Sequence, residues 1–254
     1  MRLLNAKAVI ECQGNDLLPR CLVEFVEEPP LYAILSHRKG YAKVRSCCLQ
    51  AAQDGYEWVW IDTCCIDKSS STELSEAINS MYRWYAGSDV CYAYLSDTTS
   101  SAYFERSFSN SKWFSRGWTL QELIAPRRVE FYNANWIELG TKSSLRERIS
   151  KITNIAESIL LGYTPLSQLT VALKMSWAVR RSTTREEDMA YCLMGLFDIN
   201  MPLLYGEGRK AFQRLQEEII RQYEDYSILI FESSGFLARS PADFESSIMQ
   251  PSFA

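Results

Sequence analysis

The hydrophobic positions of this chain fall into two regimes. In the first, three short runs are apolar almost without interruption: YAIL at 32–35, WVWI at 58–61 and VCYAYL at 90–95, each followed by polar residues. Such runs predict parallel strands buried on both faces, with the loops at their C-terminal ends free for ligands. The segments between them read as helices. The clearest spans Glu73 to Tyr85, where Leu74, Ala77, Ile78, Met81, Tyr82 and Tyr85 follow helical spacing and Ser70 with Glu73 makes a capping box. This alternation predicts an α/β fold, an open parallel sheet with flanking helices.

RRVEFYN and NWIEL add two further strands, and a helix follows around Leu145 to Ile152. The second regime begins near Ser167. LTVALKMSWAVRR, EEDMAYCLMGLF and GRKAFQRLQEEIIRQY carry helical periodicity, with Phe212, Leu215, Ile219 and Tyr223 on one stripe of the last. The expected organisation is a sheet domain over residues 1–154, an α-helical annex over 155–225 packed on it, and a short turn-rich tail over 226–254. Within that tail, YSILIF at 226–231 reads as a strand.

With 254 residues, 47% of them hydrophobic and 13% aromatic, the chain can bury a sizeable core. A net charge of -4 and a pI near 5.3 exclude a general nucleic-acid binder. The basic cluster Arg180, Arg181 and Arg185 could form a small-anion site, but solvated helix ends are the preferred reading. No stretch is apolar enough for a secretory signal or a membrane span, so no membrane association is expected and the predicted location is intracellular, the cytoplasm. The eight cysteines then read as buried reduced thiols. Without a CxxC and with a single histidine, no structural zinc site is predicted.

Ligands gather at the C-terminal edges of strands in an open parallel sheet. The first run is followed there by Ser36, His37, Arg38 and Lys39, the second by Asp62, Thr63, Cys64, Cys65 and Asp67. Arg38 and Lys39, next to a helix predicted to start near Tyr41, could hold a phosphate. Neither GxGxxG nor GxxxxGK[ST] occurs, so a nucleotide would need another mode of binding. A thiol nucleophile at Cys65 has only His37 as a partner and lacks an orienting third group. In SKWFSRGWTLQELIAP, residues 111–126, a helix from about Phe114 to Ile124 would put Trp118 and Glu122 on one face, four residues apart. A carboxylate beside an aromatic wall is one reading of this segment; a surface helix stopped by Pro126 is the other.

YAILSH, the long string WVWIDTCCIDKSSSTELSEAINSMYRWYAGSDVCYAYLSD and WFSRGWTLQELIAP resemble the three successive motifs of the fungal heterokaryon-incompatibility (HET) domain. STTREEDMAYCLMGLFDINMPLLYGEGRKAFQRLQEEII is similar to the segment that follows that domain in many such proteins. The resemblance implies a TIR-like, flavodoxin-type sheet over residues 1–154 and a role in fungal allorecognition and programmed cell death. By likeness to TIR enzymes, it implies NAD cleavage at the nicotinamide–ribose bond, with NAD as substrate and no resident cofactor or metal. Glu122 is the position matching the catalytic carboxylate. Trp118 would face the pyridinium, Arg38 and Lys39 the pyrophosphate, and Asp62 or Asp67 would polarise water or a ribose. Ser36, His37 and Cys65 complete the implied substrate site. Self-association and an upstream receptor or incompatibility partner are the implied contacts. Family members read SHxWG where this chain reads SHRKG, a shortened loop. That departure keeps open a non-catalytic assembly module or a degenerate HET fragment.

Overall fold

The computed structural model describes residues 1–12, 20–37, 42–98, 104–231 and 235–249. The first half runs β1 (Arg2–Asn5), α1 (Ala6–Glu11), β2 (Leu22–Glu24), β3 (Tyr32–Ser36), α2 (Ala42–Gln53), β4 (Trp58–Ile61), α3 (Asp62–Cys65), α4 (Ser71–Ala86) and β5 (Val90–Tyr94). It continues through α5 (Phe104–Ser109), α6 (Thr119–Ile124), β6 (Val129–Tyr132), β7 (Glu138–Thr141), α7 (Arg146–Thr153), α8 (Glu157–Leu160), α9 (Val171–Ser176), α10 (Asp188–Tyr191) and α11 (Lys210–Gln222).

The strands form one mixed sheet of seven in the order β2-β1-β4-β3-β5-β6-β7. Its centre, β4-β3-β5-β6, is parallel. β1 and β2 on one side and β7 on the other pair antiparallel. Every residue of β3, β5 and β6 is buried, as unbroken apolar runs require when helices cover both faces. The chain leaves β3 for β4 on one side and later returns to place β5 on the other. The C-terminal end of β3 is therefore a switch point, where diverging connections leave a crevice.

Several expectations shift in physically instructive ways. β1 and β2 carry no strand signal of their own; β2 is a largely exposed edge held by three paired residues of β1. Ser70 caps α4 by accepting the Glu73 N–H at 3.3 Å. The Glu73 carboxylate does not reciprocate; it takes the Asp67 N–H at 2.7 Å and pairs with Arg2. The strand expected at NWIEL starts later, at Glu138, because Asn133 Oδ1 accepts the N–H groups of Asn135 and Ile137 and folds that stretch into a turn.

YSILIF forms no strand. Residues Tyr226–Leu229 make a 3-10 turn, because their polar flank serves α9: Asp225 Oδ2 accepts the Val171 N–H at 2.7 Å and Ser227 Oγ the Ala172 N–H at 3.1 Å. Two donors that a helix N-terminus leaves open are thus satisfied. The residues after it pack closely. Gln216, fully buried, exchanges two 2.9 Å bonds with the backbone of Ala238, and Phe244 is wholly enclosed. The stripe on α11 is real: Phe212, Leu215 and Ile219 are buried, and the Tyr223 hydroxyl reaches the Phe197 carbonyl at 2.7 Å. All eight cysteines are free thiols. Among the described residues no helix is long and apolar enough to cross a membrane.

Candidate functional site

The helix expected from Phe114 is only α6, starting at Thr119. Backbone groups ahead of it are committed elsewhere: Gly117 N–H donates to Ser182 O at 2.9 Å and Ser182 N–H to Ser115 O at 2.8 Å. A side chain at 117 would stand 2.5 Å from Thr183 Cγ2 and 2.9 Å from Cys192 Sγ, so glycine permits this close approach. The short helix is anchored at both ends. Lys142, buried, donates to the carbonyls of Leu123 (3.1 Å) and Pro126 at its C-terminus, as a cation there should. Burial brings that amine down to about 8. At the other end, Arg181 donates to Arg116 O (2.9 Å) and Thr119 Oγ1 (3.0 Å).

Glu122 points from α6 towards the end of β3 and is 7% exposed. Its carboxylate accepts a hydrogen bond from the Ser36 hydroxyl, whose oxygen in turn accepts the Trp113 indole N–H at 2.7 Å. Trp113 is fixed by ring contacts at 5.1 Å to Phe114 and 5.6 Å to Phe131. Burial pushes the Glu122 pKa up to about 7, against the pull of Arg116 and the Ser36 hydrogen bond; Asp62 adds to the rise and Arg181 opposes it.

His37 follows directly. Its carbonyl accepts from Arg116 at 2.9 Å, while both ring nitrogens are buried without a hydrogen-bond partner. Asp62 Oδ1 lies 3.7 Å from Nδ1, beyond hydrogen-bond reach. Burial drives the imidazole down to about 4, with Asp62 partly opposing it, so the ring is neutral at pH 7 and the contact is not an ion pair. Asp62 itself accepts from Lys68 Nζ at 3.0 Å.

These groups line a cavity of about 760 Å³. Its lining takes His37, Asp62, Tyr85, Arg116, Trp118 and Glu122 from the first half of the chain and Thr183, Arg185, Asp188 and Tyr205 from the second. A hollow of similar size, about 770 Å³, lies by α5 and α7. Within its lining Arg148 pairs with Glu105, and none of the buried unpartnered polar atoms lines it. The chemistry therefore concentrates at Glu122. Among the described residues no three His, Cys, Asp or Glu side chains converge as metal ligands.

Of the residues singled out from sequence, His37, Asp62, Trp118 and Glu122 share this cavity, with Ser36 behind Glu122. Cys65 and Asp67 are not brought into it. The Cys65 thiol turns into the core, where it takes the Ile61 N–H at 3.3 Å and burial raises its pKa far above the usual thiol range. The exposed Asp67 carboxylate accepts from Ser69 Oγ (2.6 Å) and N–H (2.9 Å), and these bonds lower its pKa. Arg38 and Lys39 lie outside the described residues. Arg181, expected as a solvated helix end, is instead 7% exposed, and burial lowers its pKa to about 10. Sequence reading missed Trp113, Arg116, Asp188 and Tyr205; the bond from Trp113 to Ser36 spans 77 positions and leaves no local signal.

The arrangement defines an α/β protein with a buried carboxylate at the switch point of its sheet. A family model described as "Heterokaryon incompatibility protein (HET)" matches residues 36–108. The chain is also 46% identical over 248 residues to the vegetative incompatibility protein HET-E-1 of Podospora anserina, an alignment covering 86% of this chain and 18% of that protein. The chain belongs to the heterokaryon-incompatibility (HET) domain family. It spans about a fifth of the length of that curated relative. No solved structure matches it.

Proposed function

We propose that this chain is a HET-domain effector of fungal allorecognition, acting in the cytoplasm through TIR-like cleavage of NAD at the nicotinamide–ribose bond, with Glu122 as the catalytic carboxylate. The observation that carries this reading is the depth of Glu122. A deeply buried carboxylate lines a cavity shared with Arg116 and Trp118, at the edge of the sheet where ligands bind.

Nicotinamide departs as a neutral molecule from a cationic pyridinium, taking the bonding electron pair, so the departure needs no general acid. An ionised Glu122 would stabilise the positive charge developing on the ribose and hold its hydroxyls. Water then adds to the anomeric carbon and releases a proton, giving ADP-ribose, nicotinamide and H⁺ from NAD⁺ and H₂O. Asp62, which lines the same cavity, would orient that water. Trp118 offers a face for the pyridinium. Low water content in the cavity would strengthen each of these interactions. Self-association and an upstream incompatibility partner would control when the site works.

Incubation of the purified, concentrated protein with NAD tests the reading. Nicotinamide release is expected, with a rate rising through pH about 7 as Glu122 ionises. Glu122→Gln should lower that rate by ~100-fold or more while the protein stays folded, as loss of a transition-state charge partner does. Absence of release from the assembled protein, or full activity in the Gln variant, would sink it. Undiminished toxicity of the Gln variant in fungal cells would favour the assembly-module reading.

A further inference from the structure

Part of the cavity lining comes from the second half of the chain, and one cation there differs from the rest. Of the cations lining the cavity, Lys68 is paired with Asp62 and Arg116 donates to the His37 carbonyl. Arg185 lies 4.5 Å from the centroid of the Tyr205 ring, and among the described residues its N–H donors meet no acceptor. Lys112 also lines the cavity but has no ring to orient it.

Tyr205 is held on three sides. Its hydroxyl donates to Asp188 Oδ1 at 2.9 Å, Tyr191 meets it edge-on at 5.4 Å, and Arg185 covers its face. Asp188 lines the cavity together with Trp118, and by accepting the Tyr205 hydroxyl it fixes the ring that supports Arg185. The acids beside Arg185 make their hydrogen bonds to other groups: Glu187 accepts the N–H groups of Gly206 and Gly208 at 2.8 and 3.0 Å, and Glu186 pairs with Arg209 at 3.4 Å, while the Arg185 charge acts on Glu187 and Asp188 without a hydrogen bond to either. A guanidinium held over a ring, with its donors unused and the hydrogen bonds of Glu186 and Glu187 made to other groups, is preorganised for a planar or tetrahedral oxyanion.

We propose that Arg185, supported by Tyr205 and Asp188, is the pyrophosphate-recognising group of the cavity, so that the ligand class is a nucleoside diphosphate anion whose phosphates lie against the 183–188 segment. The proposal rests on the NAD reading above for the identity of the ligand, and extends it by giving the second half of the chain a direct share in the site. Asp188 and Tyr205 are positioning residues; Arg185 makes the contact.

Equilibrium binding of ADP-ribose to the full chain and to Arg185→Met and Arg185→Lys tests it, with nicotinamide release from NAD followed in parallel. Affinity should fall about tenfold or more in the Met variant and be partly restored in the Lys variant, which keeps the charge but loses the fork. The salt dependence of binding should be shallower in the Met variant. Both variants should melt with the parent, because Arg185 is exposed. Unchanged ADP-ribose affinity in Arg185→Met, or no ADP-ribose binding by the parent chain, would overturn the proposal. Arg185-dependent binding without nicotinamide release would instead overturn NAD cleavage and leave this inference standing.

Discussion

Two carboxylates in this protein are almost equally covered, Glu122 at 7% and Glu187 at 8% exposure, yet their surroundings push them in opposite directions. Glu187 lies shallow, and backbone N–H groups, including those of Gly206 and Gly208, hold its pKa below the ordinary range. Glu122 lies deep and receives a hydroxyl in place of backbone amides, and its pKa rises to about 7. Several N–H donors fix a negative charge and make it structural. A single hydroxyl leaves the charge poorly compensated and so available to a cation that enters the cavity. The same comparison explains the neighbouring histidine: His37, buried without partners, is neutral for the reason that Glu122 is half-protonated.

The largest expected effect on the folded state concerns these two buried groups and pH. Glu122 binds its proton more tightly folded than unfolded, so its stabilisation is complete below pH about 4.5 and is lost as pH rises through about 7. That swing is worth ~3 kcal/mol. His37 has the opposite sign: its contribution is complete above pH about 6.5 and is lost as pH falls towards about 4, again by ~3 kcal/mol. Between roughly pH 4.5 and 6.5 the two nearly cancel. Urea denaturation across this interval should show each slope alone: Glu122→Gln should lose stability as pH falls, and His37→Asn should gain it. Parallel curves for parent and variants would show that neither group titrates as described.

Glu187→Gln should destabilise less, because both glycine N–H groups donate to one oxygen, Oε1, which the amide keeps without its charge. A drop of several degrees in melting temperature is expected, on the scale of one weakened charge-assisted contact. An unchanged melting temperature would remove the contrast between the two carboxylates. The smallest effect belongs to Trp113→Phe, which keeps the ring and deletes the N–H that reaches Ser36. It should cost about 1 kcal/mol in chemical denaturation and move the pH midpoint of Glu122 slightly upward, since the Ser36 bond that opposes its rise loses support; a loss of several kcal/mol would mark Trp113 as a packing residue first.

What could be read from the sequence follows from which forces act locally. The strands at 32–36, 58–61 and 90–94 were readable to within about a residue, since burial on both faces writes an unbroken apolar run. α4 was readable from its stripe and from Ser70. Placing Ser36, His37, Asp62 and Glu122 on one rim needed only the rule that parallel strands share a C-terminal edge. β1 and β2 were not readable, because their pairing is non-local and β2 is mostly exposed. Arg181 was misread because charge usually means surface, and its hydrogen bonds to Arg116 and Thr119 come from 65 and 62 positions away. The shortened α6 was equally hidden: its start is set by Ser182, which competes for the backbone of Ser115 and Gly117.

That backbone exchange around Ser182 also sets an order of assembly. The strands and Glu122 precede in sequence the residues that brace them: Arg181 beneath α6, Ser182 beside Gly117, then Asp188 and Tyr205 lining the same cavity. A nascent or truncated chain ending before this segment would own the carboxylate without that part of its enclosure, leaving Glu122 more open to water and its pKa nearer that of an ordinary glutamate. A frameshift or early stop after residue 125 would thus leave the carboxylate without a finished cavity around it.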